Sequence, residues 1–229
     1  MESQTGENNL ESEAQNIDNP EQLCLLIKDI LGVSFEASYL EQDSSARKML
    51  ETNSAEMIQQ VNKYYLSNYQ DYSVREREMF VQFIRLPMNR MSMFILRGIE
   101  LLGALEYRLK HVNFGIIDHK EFYRKMLPYL VELIENFLQD QNPKLHNLIP
   151  IGEFSSAIIA SEFYQLGRTY YEEQVYDFHQ AFRDLIIQIV EYKENLSDKA
   201  VPVMNQFKYF LEGILKQLNK EQAGQNFKA

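Results

Sequence analysis

Between Met79 and Ile99 the chain carries Phe, Met, Ile or Leu on nearly every side of a helical projection, and the only charges there are Arg85, Arg90 and Arg97. A helix that is apolar all round is buried. The stretch from Val74 to His111 is therefore expected to form a spine against which the other elements pack. Ser73-Val74-Arg75-Glu76 has the capping-box pattern and marks its start. Pro87 lies inside it. A proline removes one backbone hydrogen bond and crowds the preceding turn, which predicts either two helices or one kinked helix. Beyond it, Leu101, Leu102, Leu105 and Leu109 continue the apolar face.

The same periodicity organises the rest of the chain. Asn19 and Pro20 form an N-cap and first helical position, Leu23, Leu26, Ile27 and Ile30 follow at helical spacing, and Gly32 is the expected stop. Residues 33–52 carry apolar pieces around Phe35 and Tyr39 and a polar helix-forming segment. A clearer helix opens at Ser54, with Met57, Ile58, Val61, Tyr64 and Tyr65 on one side, and ends in the turn-forming SNYQDYS. Asp118 caps a helix from His119 to Leu138 that carries Phe122, Met126, Leu130, Leu133, Ile134 and Phe137, with Pro128 expected to bend it. Residues 139–150 hold two prolines and read as a loop, and the region 139–152 is a candidate subdomain boundary. Three more helical patterns cover about 153–173, 175–195 and 197–219. Sustained alternation of period two is absent from the sequence. The expected architecture is all-α, a bundle of seven or eight helices around a long, proline-kinked central helix. A single helical domain at 19–221 is flanked by an acidic tail at 1–18, expected to be disordered, and a frayed end at 222–229.

Composition agrees with a large core and few turns: 45% of residues are hydrophobic, Phe and Tyr number 14 each, and only 9 Gly and 6 Pro occur in 229 residues. The net charge of −10 argues against binding to a phosphate backbone, so no nucleic-acid partner is expected. Five of the acids, Glu2, Glu7, Glu11, Glu13 and Asp18, lie in the tail. The single cysteine, Cys24, cannot form an internal disulfide and sits in the apolar run LCLLI, which fits a buried side chain in a reducing compartment. No segment reaches eighteen uncharged apolar residues. Membrane insertion is not expected, and a cytoplasmic location is.

Candidate chemistry is sparse. On an ideal helix at about 100° per residue, Arg90, Arg97 and Arg108 fall within roughly 20° of one another, with Arg85 across the break. Such a stripe suits either internal carboxylate partners or recognition of an acidic group. An aromatic cluster, including Tyr164, Tyr170, Tyr171 and Tyr176, suits either core edges or an interface. No metal-ligand spacing is found. Haem or another tetrapyrrole would need one axial histidine in an apolar helical pocket, for which His111, His119 and His179 are the candidates. No nucleophile elbow or phosphate-cradling glycine loop appears, so no catalytic residue is assigned and the chain is read as a non-enzyme. The leading expectation is a regulatory or adaptor protein that meets a protein partner, or a second copy of itself as a homodimer, through helical surfaces. The alternative is a ligand-binding sensor domain with a hydrophobic helical pocket.

Overall fold

The computed structural model describes Ile17 and residues 19–39, 44–86, 90–165 and 170–226, with the side chains of 35–39, 44–47, 49–51, 162–165, 170–172 and 225–226 outside the description. The expected tail at 1–18 thus lies almost wholly outside the described residues, as do Pro87 and the last three positions of the expected frayed end. Among the described residues the protein is all-helical, with eight α-helices: α1 Pro20–Tyr39, α2 Ser44–Asn68, α3 Val74–Ile84, α4 Met91–Asn113, α5 His119–Gln139, α6 Leu148–Gln165, α7 Tyr170–Tyr192 and α8 Leu196–Asn226. Single 3-10 turns at Tyr69–Asp71 and Leu145–Asn147 join α2 to α3 and α5 to α6.

The spine resolves into two helices. α3 opens with the expected capping box: Glu76 N donates to Ser73 Oγ at 3.3 Å and Ser73 N donates to Glu76 Oε2 at 2.7 Å. It closes at Ile84, and α4 begins six residues after Arg85 ends it. α4 is the buried centre. Every residue from Phe94 to Leu105 except Arg97 and Glu100 is buried, and the helix packs against α1, α3, α6 and α7. α5 and α8 pair with each other at the side, and α7 bridges α6 and α8.

Several boundaries differ from those read in the sequence. Gly32 does not stop α1, which continues to Tyr39. A Cβ at Gly32 would meet nothing within 4 Å, so the residue faces open space rather than a left-handed turn. α2 starts at Ser44: the polar SSARKMLE segment is helical, as expected, but runs on without a break into the helix expected to open at Ser54. α6 starts at Leu148 rather than near Glu153. Pro150 does not break it, since the missing N–H falls in the first turn, where no intrahelical acceptor exists.

Two glycines set the depth of the core. A Cβ on Gly103 of α4 would lie 2.6 Å from the Glu153 carbonyl oxygen and 2.9 Å from the Ala157 nitrogen, both backbone atoms of α6. A Cβ on Gly152 would lie 2.5 Å from the Phe182 ring. These positions let α6 approach α4 and α7 more closely than any side chain would permit.

Candidate functional site

The close α4–α6 crossing brings one acidic residue into the interior. α6 is buried on every side from Ile151 to Ile159, and Glu153 is the only charged residue between Leu148 and Ala160. Its side chain is 3% exposed. Glu106 and Lys110 face it from one turn apart on α4, and Lys28 reaches in from α1. The four form a ring of alternating charge. Glu106 holds both cations closely, with Lys28 Nζ at 2.5 Å and Lys110 Nζ at 3.1 Å. Glu153 holds the same two at 3.5 and 3.6 Å. Its Oε1 is buried and accepts no hydrogen bond.

The two acids are therefore unlike each other. Burial pushes the Glu106 carboxyl up, but hydrogen bonding to Lys28 and the charge of Lys110 outweigh it and hold the group below the ordinary carboxylate range. Burial and then repulsion from Glu106 push the Glu153 carboxyl up to about 7, against the pull of the two lysines. Lys28 is held above its ordinary value, because attraction to Glu153 and the bond to Glu106 overcome its own burial. A charge taken out of water needs close hydrogen-bonded partners, and Glu153 has only a long contact from Lys28 on one oxygen and no hydrogen bond on the other.

A cavity of about 610 Å³ opens against this ring. Lys28, Lys110 and Glu153 are at its polar end, while Val33, Tyr129, Ile149, Pro150 and Phe154 give it apolar walls. Lys110 lies over the Phe154 ring at 4.3 Å, and Tyr129 packs on the same ring at 5.1 Å between centroids. Asp29, Val33, Tyr129 and His146 are exposed, so the cavity has a mouth at the surface. Its size and its mix of apolar wall and few convergent polar groups are those of a small-molecule site. Cys24 stays outside the chemistry: burial, followed by Glu106, pushes its thiol up to about 12. As read from its neighbours, it is buried.

A second polar group sits deeper. His179 Nε2 is 3.6 Å from Glu100 Oε1, and Nδ1 is 3.3 Å from Ser155 Oγ. Burial raises the Glu100 carboxyl, but His179, Arg97 and Arg183 outweigh it and hold the group low. Serine, histidine and glutamate in a row have the order of a nucleophile, base and orienting acid. Yet Ser155 is 0% exposed, and its hydroxyl donates to the Gly152 carbonyl at 2.8 Å. The hydroxyl is thus closed off from solvent, and the row forms a polar network between α4, α6 and α7.

The residues singled out in the sequence do not converge. Arg85 and Arg90 are exposed at the end of α3 and the N-cap of α4, so Arg90 stands outside the helix that was to carry its stripe. Arg97 pairs with Glu100 at 2.5 Å. Arg108 donates to the Asp71 carbonyl at 2.5 Å, lies 3.5 Å from Glu76 and covers the Tyr72 ring at 4.7 Å. Tyr176 is half exposed on α7, whereas the side chains of Tyr164, Tyr170 and Tyr171 lie outside the described residues. The three histidines sit on three helices. His111 lies tilted against Tyr107, at 5.5 Å between ring centroids, beside a second cavity of about 360 Å³, and His119 is buried in the first turn of α5. Both ring nitrogens of His179 already face partners.

Lys28, Glu106, Lys110 and Glu153 escaped the sequence reading. The signal was present, since Glu153 is a lone charge inside an apolar run, the same criterion that drew attention to the arginines. It was lost because residues 139–150 read as loop, which placed Glu153 at a helix start, where an acid is ordinary.

Among the described residues no group of three or more His, Cys, Asp and Glu is placed to hold a metal ion, and no helix is long and apolar enough to cross a membrane. No protein-family model, no curated protein and no solved structure matches this chain.

Proposed function

We propose that this chain is a ligand-binding helical domain of the sensor or regulatory kind, which holds a small amphipathic molecule in the cavity between α1, α5 and α6 and binds it without turnover. The observation that carries this reading is the pairing of a roughly 610 Å³ apolar-walled cavity with a buried carboxyl whose Oε1 has no hydrogen-bond partner. A buried polar atom left unsatisfied costs about 1–3 kcal/mol, and a ligand that satisfies it recovers that cost.

Gly32 supplies the test. It lines the cavity, and a Cβ there meets nothing within 4 Å, so Gly32→Phe enters at an open Cβ position and brings a ring to the cavity wall. Losing a helix-interior glycine adds up to about 1 kcal/mol of helix propensity. The uncharged fluorophore N-phenylnaphthylamine should brighten with the native protein and not with Gly32→Phe, while the variant melts at the same temperature or higher. Equal brightening with both proteins would overturn the cavity as the binding site.

A protein-docking role has its own support at the corner between α4 and α5. There Val112, Phe114 and Ile117 are 73%, 51% and 93% exposed within six residues. Neighbouring exposed apolar side chains mark interaction surfaces more often than isolated ones do. If a second copy covers this corner, light scattering should give a mass that rises with concentration toward two chains, and Ile117→Asp should return it to one. A single-chain mass at every concentration removes self-association.

A further inference from the structure

We propose that the cavity takes a monoanionic amphiphile, with a carboxylate head seated between Lys28 and Lys110 and an apolar body along Ile149, Phe154 and Tyr129, and that the head replaces Glu153 as the second counter-ion of the two lysines. The inference rests on the small-molecule reading above and names the ligand class.

The geometry leaves room for such an exchange. The ring of two lysines and two glutamates is neutral when all four are ionised, and Glu106 already engages both ammonium groups at 2.5 and 3.1 Å. Each ammonium carries three donors, of which Glu106 takes one. The other acid lies farther off, at 3.5 and 3.6 Å, and one of its oxygens accepts no hydrogen bond. Glu153 is thus the weaker counter-ion, and it stands at the cavity wall with both lysines, whereas Glu106 does not line the cavity.

A carboxylate entering beside Glu153 puts two like charges in one site, so one of them must take up a proton. Glu153 is the group ready to do so, because burial and Glu106 already hold its carboxyl high. Once protonated, it turns from an acceptor whose Oε1 has no hydrogen-bond donor into a donor itself, and its hydroxyl can bond the ligand carboxylate. The charged and titratable groups interacting with Glu153 are Lys28 and Cys24 on α1 and Glu106 and Lys110 on α4. Asp29 of α1, Tyr129 of α5 and His146 of the 3-10 turn share the cavity wall, and on α7 His179 is engaged by Ser155 and Glu100. Cys24 is uncharged at neutral pH, so the proton taken up on binding is assigned to Glu153. A cationic head would find Glu153 at the cavity's polar end but meet both ammonium groups there.

Calorimetric titration of the full chain with decanoate, decanol and decylamine, each below its micellar concentration, tests the head group with the apolar body held constant. Decanoate is expected to bind at least about tenfold more tightly than the other two, since two charge-assisted hydrogen bonds distinguish it. At pH 8, titration in buffers of different ionisation heat should show uptake of close to one proton. Glu153→Gln should bind decanoate about tenfold more tightly at pH 8 and lose the proton uptake, because the amide supplies a donor without titrating and the ligand no longer has to drive protonation of the acid. Decanol or decylamine binding as tightly as decanoate overturns the anionic class and leaves the small-molecule reading standing. Decanoate binding without proton uptake overturns the exchange with Glu153. If none of the three binds and N-phenylnaphthylamine also stays dark, the small-molecule reading fails with it.

Discussion

Replacing Gly103 by alanine is expected to lower the unfolding free energy by about 3 kcal/mol, at the upper end of what one inserted methyl group costs in a packed core. The new carbon would stand 2.5 Å from Ser156 Cβ, 2.6 Å from the Glu153 carbonyl oxygen and 2.9 Å from the Ala157 nitrogen. Two of these obstacles are backbone, so no change of rotamer relieves them, and α6 must move away from α4. That crossing is the most extensive helix–helix contact in the described fold. Alanine's better helix propensity recovers at most about 1 kcal/mol. Gly98→Ala provides the contrast: the three atoms nearest its Cβ would all belong to the side chain of Leu31, the closest at 2.6 Å, and a side chain yields more readily than backbone. Urea denaturation of the two variants checks the ranking. A loss below about 0.5 kcal/mol for Gly103→Ala would show that α6 slides freely on α4, and that the depth of Glu153 is not set by this glycine.

A linear pattern carries only part of this fold. Apolar periodicity located α4, α5, α7 and α8 because each has a continuous face, and Ser73 and Asp118 announced their helices through side-chain oxygens that accept from the first turn. Glycine and proline misled where their local meaning depends on surroundings. Gly32 reads as a helix end, yet it lies within α1 and borders a cavity. Pro150 reads as loop, yet it occupies a first turn that tolerates it. Gly103 gives no local signal, since its role arises from a helix fifty residues away.

The site was less legible than the fold for a related reason. Glu106 and Lys110 look like an ordinary exposed pair at i, i+4, and Lys28 like a solvated charge on an amphipathic helix. Only the packing of α1 and α6 on α4 turns them into an interior ring. The arginines illustrate the converse. Arg97 and Arg108 break an apolar pattern in sequence, but long side chains let them leave the core and find Glu100 and the Asp71 carbonyl near the surface. Glutamate is too short to escape from position 153, so the burial of its carboxyl follows from the helix packing.

That burial makes stability depend on pH in a specific direction. The Glu153 carboxyl goes from 4.5, its ordinary value, to about 7 in the folded chain. A group raised in this way contributes stability that is complete below its unfolded value and is lost as pH rises through its folded value. The loss thus falls mainly between pH 4.5 and 7, and at about 1.4 kcal/mol per pH unit it amounts to roughly 3 kcal/mol. Glu100 and Glu106 act oppositely: their carboxyls are held low, so their contribution is present above the unfolded value and lost as pH falls. Glutamine at 153 mimics the protonated acid at every pH and leaves the other two in place. Glu153→Gln should therefore exceed the wild type by less than about 1 kcal/mol at pH 5 and by about 3 kcal/mol at pH 8. Guanidinium denaturation at the two pH values isolates the term, because the other carboxylates cancel in the difference. A variant less stable than the wild type at pH 8 would mean that the two lysines gain more from an ionised Glu153 than its burial costs. The carboxyl would then be a fixed counter-ion rather than one that an entering anion can displace, and the stability difference thus bears on the ligand class without any ligand present.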